Sequence, residues 1–348
     1  LTPEEVNLPI VSNDDIRGGD AHENAIILRK VLEGKQGPHR DTVLLNAGLG
    51  IFAEGRAETV KQGVELARES IDSEGALEVV LNKRWYDNMT TILDKILAEK
   101  EKEVARLKET YVPGTIKEQR VEVSLYDTFM KSDRMNIIAE IKRASPSKGL
   151  INDKVKPQEQ GINYQACGAG GISVLTDEPF FKGTIEDMQQ VRQKVHLPIL
   201  NKDFIVDEIQ IERAYDAGAN LILLIAAALP EERLKELYVY AAQKGLEILF
   251  EVHTKEELEM AQRIGAKIIG VNNRDLKTFN VDLAVTEQLA SLIDTSNTLL
   301  ISESGMKNKE DVERVMRAGA KGILVGETMM RSNDLKTTFD SLRIPLGE

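Results

Sequence analysis

The pattern of apolar and polar positions differs between the first quarter of the chain and the rest. From about residue 135 onward, short apolar runs alternate with longer charged segments of helical periodicity. Eight such runs occur, at 135–141, 171–176, 197–204, 219–226, 246–252, 267–273, 298–304 and 321–327. Buried strands that alternate with amphipathic helices are typical of a parallel sheet. This part of the chain is therefore predicted to be α/β.

The number of strand–helix units distinguishes two parallel architectures. Eight units over about 215 residues match a closed (β/α)8 TIM barrel in count and length. A doubly wound open sheet is the alternative, but it normally has fewer units, and no GxGxxG motif follows the first strand. We therefore expect a TIM barrel. A charged amphipathic segment at 90–111 predicts an extra helix on its N-terminal side.

The residues before the barrel carry helical periodicity without a clear strand. Helices are predicted over 20–34, 40–55 and 56–80. The second is apolar enough to be a buried helix, and the third has an apolar face formed by Val60, Val64, Leu66 and Ala67. Because the pattern breaks at 83–89, we expect a mostly helical segment over 1–85 and a barrel domain over 89–348.

Composition narrows the possible partners and compartments. A net charge of −12 and a pI near 5.1 argue against a nucleic-acid surface or an anionic membrane as the main partner. The single cysteine, Cys167, excludes an internal disulfide and a cysteine-rich metal site, and a cytoplasmic location fits it. We see neither a signal peptide nor an apolar stretch that could span a bilayer. The chain begins at Leu1, so we expect it to be part of a longer product.

Polar residues recur where the predicted strands end. In a TIM barrel these ends form the active-site face, whereas inward positions are mostly branched and apolar. A single lysine or glutamate at a strand end is usually a solvated or structurally paired residue. Six strand ends with polar side chains on one face are a different matter, because burying such groups is costly unless function or pairing offsets it. The candidates are Glu140, Lys142, Lys202, Glu251, Asn272, Arg274, Glu303 and Ser304.

Glycines at two neighbouring strand ends indicate how the substrate is held. Gly305 and Gly326 follow the seventh and eighth runs, and Glu327 comes directly after the latter. Backbone N–H groups in these two loops form the usual phosphate site of such barrels. The segment SPSKG after the first run adds Ser145 and Lys148. The sequence thus predicts a phosphorylated small-molecule substrate.

Several of these segments together resemble one family. They are IIAEIKRASPSKG (137–149), GISVLTDEPFFKG (171–183), LNKDFIVDEIQI (200–211), FEVHT (250–254), GVNNRDLKTF (270–279), ISESG (301–305) and GILVGETMMR (322–331). This set resembles indole-3-glycerol-phosphate synthase from about Thr90 to Leu342. The family closes the indole ring of 1-(2-carboxyphenylamino)-1-deoxyribulose 5-phosphate with loss of CO2 and water, and its extra N-terminal helix covers the substrate pocket.

The resemblance implies roles for the candidates. Lys202 would protonate the substrate carbonyl, Lys142 would hold the departing carboxylate, and Glu251 would transfer protons during dehydration. Glu140 and Asn272 would bind hydroxyls and orient the lysines, and Arg274 would complete the end of the sixth strand. The remaining candidates would line the pocket, form its aromatic wall or bind phosphate: Ser145, Phe204, Glu303, Ser304, Gly305, Gly326 and Glu327. A lysine crowded by other cations would have a lowered pKa. No step is redox, so no cofactor and no metal is expected.

Residues 1–85 resemble the C-terminal part of anthranilate phosphoribosyltransferase, through the segments DIRGGDAHENAIILRKVLEG and RDTVLLNAGLGIFAEGRAETVKQGVELARESIDSEGAL. The resemblance does not extend to the pyrophosphate-binding glycine loop or the metal-binding acidic pair of that enzyme. We therefore expect no transferase activity from this segment alone. It points to other tryptophan-pathway enzymes as partners through fusion.

Three other interpretations compete with this one. Phosphoribosylanthranilate isomerase resembles the same fold but uses a cysteine at the end of its first strand, where this chain has Glu140-Ile-Lys142. Barrels of the tryptophan synthase α type lack the paired lysines. A non-catalytic barrel within a fused protein is the third alternative, and the presence of Lys202 and Glu251 argues against it.

Overall fold

The computed structural model of the chain describes residues 2–19, 21–81 and 91–347. The chain divides into two compact units, residues 1–90 and 91–348. The predicted boundary at 83–89, with Trp85, lies outside the described residues.

The first unit is helical, as predicted. A short 3-10 helix, Pro3–Val6, precedes α1 (Ala21–Leu32), α2 (Pro38–Ala53), α3 (Val60–Asp72) and α4 (Gly75–Leu81). The single helix predicted over 56–80 is wrong, because the chain breaks at Glu74, whose φ of 60° is left-handed and cannot continue a helix. Ser73 ends α3 as its C-cap.

The small core of this unit explains two further differences from the sequence prediction. Val64 and Ala67 pack with Leu44 and Ile71, but Leu66 points away and is 37% exposed. Along α2, Phe52 is 42% exposed, so the prediction of a buried helix is wrong. Apolar composition alone does not reveal which faces of a helix find a partner.

The second unit is a closed barrel of eight parallel strands, which confirms the predicted fold. Each strand pairs with its neighbours in chain order, and the last pairs with the first. The strands are β1 (Asn136–Ile141), β2 (Gly171–Leu175), β3 (Ile199–Lys202), β4 (Leu221–Ile225), β5 (Glu247–Val252), β6 (Ile268–Asn272), β7 (Leu299–Glu303) and β8 (Gly322–Val325). A hairpin that the sequence did not predict pairs Ala144–Ser145 with Gly149–Leu150 after β1.

Helices surround the barrel and precede it. The first of them, α5 (Ile92–Thr110), is the predicted extra helix, and Thr91 begins it with a capping box. The others are α6 (Leu125–Met130), α7 (Pro157–Cys167), α8 (Glu178–Phe181), α9 (Ile185–Arg192), α10 (Glu208–Asp216), α11 (Glu231–Gln243), α12 (Lys255–Ile264), α13 (Ala284–Ala290), α14 (Lys309–Arg317), α15 (Glu327–Met330) and α16 (Leu335–Leu342). None of the described helices is long and apolar enough to cross a membrane.

The inside of the barrel is packed and closed at one end. Inward side chains of successive strands form an apolar cluster, separate from the larger core between strands and helices. Leu125 and Phe129 of α6 belong to this inner cluster and are fully buried. They fill the end of the barrel at which the strands begin.

The alternation of side chains along the strands places the polar site directly above this apolar layer. Because side chains alternate with period two, the residue two places after an inward apolar residue also points inward. Lys202 follows Leu200 in this way, and Glu303 follows Ile301. The apolar floor and the polar mouth are therefore consecutive layers of the same strands.

Candidate active site

A cavity of about 490 Å³ opens at the strand C-termini of the barrel. This volume lies within the range of small-molecule sites, about 300–1,000 Å³. Every site residue predicted from the sequence lines it: Glu140, Lys142, Ser145, Lys202, Phe204, Glu251, Asn272, Arg274, Glu303, Ser304, Gly305, Gly326 and Glu327. The structure thus brings together side chains that are up to 187 positions apart in the sequence, from Glu140 to Glu327.

Three charged side chains form the centre of the cavity, and we call Lys202, Glu251 and Glu303 the pore cluster. The Nζ of Lys202 donates to Glu251 Oε2 at 2.8 Å and to Glu303 Oε2 at 2.9 Å. The Lys202 side chain is 13% exposed and the two carboxylates are at most 4% exposed. β3, β5 and β7 supply one member each, so alternate strands converge on a single ammonium group.

The pKa of Lys202 differs from the sequence expectation. Burial alone would lower the pKa of this lysine, but the negative charges of Glu251 and Glu303 outweigh burial and raise it above its ordinary value. The expected crowding by other cations is wrong for Lys202, because its two nearest charged partners are carboxylates. Lys202 is therefore a stably protonated hydrogen-bond donor at neutral pH.

The two carboxylates of the pore cluster are shifted in opposite directions. Burial raises the pKa of Glu303 to about 7, against the attraction of Lys202 and with added repulsion from Glu251. Burial would raise the pKa of Glu251 as well, but Lys202, His253 and a hydrogen bond from Asn272 outweigh it and lower that pKa. A pair of acids whose pKa values are pushed apart can divide the roles of proton donor and acceptor.

Close approach of a neighbouring strand explains the burial of Glu303. Its Oε1 is buried without a hydrogen-bond partner. A Cβ on Gly270 of β6 would lie 2.1 Å from that oxygen, so only glycine leaves room for it there. An unpartnered buried oxygen favours the neutral carboxylic acid over the carboxylate.

Two residues at the rim hold Glu251. Asn272 donates to Glu251 Oε1 at 3.0 Å and so orients this carboxylate. From the sequence, we expected it to orient the lysines. The Nε2 of His253 lies 3.5 Å from the same oxygen, and its Nδ1 lies 3.3 Å from Glu257. Burial alone would lower the pKa of His253, but these carboxylates outweigh burial and raise it. The site residues predicted from the sequence did not include His253, although it lies two positions after Glu251 and therefore on the same face of the strand.

Glu140 and Lys142 form a second ion pair across the mouth. The Nζ of Lys142 lies 2.6 Å from Glu140 Oε1. A Cβ on Gly326 would lie 2.3 Å from that oxygen and 3.0 Å from Lys142 Nζ. The glycine at the end of β8 therefore makes room for this pair. With a side chain 19% exposed, Lys142 faces the cavity.

The loops after β7 and β8 form a joined rim. Ser304 and Gly305 follow β7 with left-handed φ values of 64° and 94°, a conformation that costs a non-glycine residue such as Ser304 free energy. The Oγ1 of Thr328, in α15, donates to the carbonyl oxygen of Met306 at 2.7 Å. The two glycine-containing loops predicted to bind phosphate are therefore held side by side.

Two cations at this rim, Lys148 and Arg331, lie close to its acidic side chain, Glu327. The carboxylate of Glu327 lies 3.9 Å from Lys148 and 3.3 Å from Arg331. Backbone N–H groups and these cations are suited to an anion here. Ser145 reaches the cavity on the hairpin after β1, where its Oγ lies 3.4 Å from that of Ser147. The sequence set missed Arg331, which follows the last glycine loop by five residues.

The opposite side of the cavity is apolar. Phe204, after β3, pairs its ring with that of Phe181 from α8, with centroids 6.0 Å apart and a 34° angle between planes. Leu93 and Ile96 of α5 line the same space. Only Phe204 of these was predicted from the sequence. The others lie on helices, where an apolar residue is indistinguishable from ordinary core.

Arg274 completes the rim after β6. Its backbone N–H donates to Asn272 Oδ1 at 3.1 Å, and its guanidinium donates to the carbonyl of Phe279 at 3.4 Å. Among the described residues, no group of three or more His, Cys, Asp or Glu side chains is arranged to hold a metal ion.

Comparison with known proteins agrees with this geometry. The model of the family described as indole-3-glycerol phosphate synthase matches residues 93–342. Residues 1–77 match that of the glycosyl transferase family, a/b domain, in line with the likeness of this segment to anthranilate phosphoribosyltransferase.

Two curated relatives extend the match over the whole barrel. An indole-3-glycerol phosphate synthase from a strain of Bacillus cereus is 54% identical over 256 residues, which is 74% of this chain and 99% of the relative. One from Oceanobacillus iheyensis is 54% identical over 258 residues, with 74% and 98% covered. Through its barrel, this chain belongs to the indole-3-glycerol phosphate synthase family.

Proposed function

We propose that the barrel converts 1-(2-carboxyphenylamino)-1-deoxyribulose 5-phosphate into indole-3-glycerol phosphate, releasing CO2 and water. The observation that carries the proposal is the pore cluster, in which a protonated lysine and two carboxylates of opposite pKa shift share one cavity. The apolar wall suits the aromatic ring of this substrate, and the cationic rim suits its phosphate.

Lys202 is the electrophilic group of ring closure. As the ring carbon attacks the ketone, negative charge develops on the carbonyl oxygen, and a fixed cation stabilises it. The raised pKa keeps Lys202 charged for this purpose. The proton then moves to the oxygen, which becomes the hydroxyl group that is lost later.

Lys142 orients the carboxylate that departs as CO2. Its ammonium group faces the cavity while its other contact is Glu140. A cation beside the carboxylate fixes the geometry of the ring for attack. Glu140 limits the strength of that pairing, because it shares the cation.

Glu251 and Glu303 divide the proton transfers of dehydration. This step removes a proton from the new ring and delivers one to the departing hydroxyl. The lowered pKa makes Glu251 the ionised acceptor, whereas Glu303 is the neutral donor below about pH 7. Asn272 holds the acceptor, and the imidazole of His253 lies 3.5 Å from the same carboxylate oxygen.

The rim and wall hold the two ends of the substrate. Backbone N–H groups near Gly305, Gly326 and Glu327 bind the phosphate, with Ser145 beside them, as in the common phosphate site of these barrels. Arg274 and Ser304 border the sugar hydroxyls between the two ends. Phe204 packs against the aromatic ring.

The arrangement of the whole chain belongs to the same proposal. The helical segment 1–85 is the end of a phosphoribosyltransferase-like domain without activity of its own, and the barrel domain over 89–348 carries the activity. Its partners are neighbouring tryptophan-pathway enzymes joined by fusion. The single cysteine agrees with a reducing, cytoplasmic setting.

A direct assay tests the reaction. The purified chain is incubated with the carboxyphenylamino-deoxyribulose phosphate while indole fluorescence and CO2 release are followed together. Equal amounts of both products are expected. A chain that is folded and releases neither, under conditions where a curated relative is active, contradicts the proposal.

A further inference from the structure

A second buried lysine lies outside the cavity, on the helix that precedes the barrel. Lys100 of α5 has a side chain that is only 1% exposed. Its Nζ lies 2.7 Å from Asp203 and 3.1 Å from Asp177, both at most 2% exposed, and 2.7 Å from Glu103 on its own helix. We call Lys100, Asp177 and Asp203 the helix latch. It fastens α5 to the ends of β2 and β3.

One aspartate of the latch holds the backbone of a cavity aromatic, and the other caps the short helix that carries a second one. Asp203 accepts a hydrogen bond from the N–H of Phe204 at 2.8 Å. Asp177 caps α8 by accepting from the N–H of Phe180 at 2.8 Å, and α8 ends with Phe181. Phe181 and Phe204 are the two rings that pair in the cavity wall. One ammonium group therefore bridges the carboxylate that accepts from the Phe204 N–H and the carboxylate that caps the helix carrying Phe181.

The surrounding contacts make this arrangement specific. Thr176 donates its hydroxyl to Asp203 at 2.5 Å, and Asn201 donates to that hydroxyl at 2.9 Å. Arg213 pairs with Glu103 at 2.8 Å and so fixes the helix side of the latch. Burying several charges is expensive unless each is paired, and a retained buried network of this kind can specify one conformation.

The same helix contributes directly to the aromatic wall. Leu93 and Ile96 line the cavity, and Lys100 follows Ile96 by four residues, one helical turn along the same face. We propose that Lys100 is a positioning residue: through Asp177 and Asp203 it fixes both aromatic rings and the adjoining turn of α5 as one binding surface for the aromatic half of the substrate. This inference rests on the proposed function for the identity of that ligand.

The test separates the two halves of the substrate. Lys100→Met in the full chain is compared with wild type and with Lys108→Met, which removes a half-exposed ion pair between the same helix and Asp207. Binding of 2-aminobenzoate is followed by its own fluorescence, and binding of inorganic phosphate by calorimetry. We expect Lys100→Met to weaken 2-aminobenzoate binding and raise KM about tenfold, since misplacing a binding group by about 1 Å costs up to about 100-fold.

Phosphate binding is expected to stay within about twofold of wild type, because the rim proposed to bind phosphate shares no contact with the latch. Equal weakening of both ligands indicates a purely structural role and overturns the inference, as does an unchanged affinity for 2-aminobenzoate. If Lys100→Met does not fold, Asp177→Asn, which keeps the acceptor for Phe180, is judged by the same criteria. Wild type that binds 2-aminobenzoate but forms no indole contradicts the proposed function instead, and the binding comparison still decides the latch.

Discussion

The pore cluster and the helix latch are built from the same chemical parts. Each places one lysine among buried carboxylates, and in each the carboxylates raise the pKa of the lysine despite its burial. They differ in access. The side chain of Lys202 is 13% exposed and lines the cavity, whereas that of Lys100 is 1% exposed and does not. Burial and pairing therefore do not separate a reactive lysine from a structural one, but an open path to the cavity does.

The carboxylates of the two sites differ in the same way. In the latch, Asp203 uses both oxygens, toward Lys100 and Phe204 on one side and Thr176 on the other. In the pore cluster, Glu303 keeps one buried oxygen without a partner. Asp177 of the latch likewise keeps a buried oxygen without a hydrogen bond, but it does not line the cavity, whereas Glu303 does and can exchange a proton there.

The largest expected effect is the loss of turnover in Lys202→Ala. Removing a general acid costs about 100- to 10,000-fold in rate. Steady-state kinetics measures the effect on kcat, and circular dichroism checks that the barrel persists. Substantial formation of indole-3-glycerol phosphate by this variant would falsify the role assigned to Lys202.

The next largest effect is on stability, for which Lys100 is expected to matter more than Lys202. Lys100→Met is expected to lower the free energy of unfolding by about 3 kcal/mol, because it leaves buried carboxylates without their cation. Urea unfolding measures this loss. The matched control is Lys102→Met on the same helix, where an exposed pair with Glu99 is expected to contribute less than about 1 kcal/mol. Equal stability of the two variants contradicts the comparison.

The sequence revealed one of these sites and not the other for a physical reason. Lys202 and Glu251 end apolar runs, where a charge is unexpected and therefore informative. Lys100 lies in a helix rich in lysine and glutamate, and although its spacing places it on the face of Ile96 and Val104, nothing local to the helix shows that buried carboxylates await it there. Which helix face meets the barrel is decided by tertiary packing.

The fold could be predicted from local sequence patterns, whereas the pKa of Lys202 depends on distant residues and could not. Strand–helix alternation is local in sequence, so eight units could be counted along the chain. The partners of Lys202 come from β5 and β7, which are not adjacent to β3 and approach it only across the interior of the barrel. Charge crowding therefore depends on barrel closure and stagger, which no local pattern contains.

A smaller effect is expected from a single methyl group at the mouth. Gly326→Ala brings a Cβ against Glu140 and Lys142 and is expected to reduce kcat/KM about tenfold, because it displaces the cation that orients the substrate. Kinetics of this variant beside Gly347→Ala, where a Cβ meets nothing within 4 Å, isolates the contact. Wild-type activity in Gly326→Ala would show that the pair tolerates displacement.

Glu303 of the pore cluster is also expected to titrate near neutral pH. The pKa of Glu303 is raised to about 7 from 4.5, so ionising it costs stability as the pH rises through that window, and activity falls above about pH 7 as the proton donor is lost. The lowered pKa of Glu251 acts in the opposite sense, since its stabilisation is present above pH 4.5 and is lost on further acidification.

Glu303→Gln is the variant that tests this titration. We expect it to remove the fall in stability between pH 4.5 and 7 and the alkaline decline in the kcat profile. Profiles of kcat and of urea midpoints against pH measure both. If the alkaline decline persists unchanged in Glu303→Gln, another group titrates there.

The smallest effect is expected from removing residues 1–88. Because every residue lining the cavity lies between Ile92 and Arg331, kcat and KM are expected to stay within about twofold. Kinetics of the truncated chain, with circular dichroism to show that it is folded, provides the measurement. A folded but inactive truncation would give the helical unit a part in catalysis that neither lysine site explains.

Because Leu125 and Phe129 close one end of the barrel, they determine where ligands can enter and leave. With the strand-start end filled by side chains, the barrel is a cup with one opening rather than a tube. If the barrel catalyses the proposed reaction, the substrate enters and carbon dioxide, water and the indole product leave through the same open end.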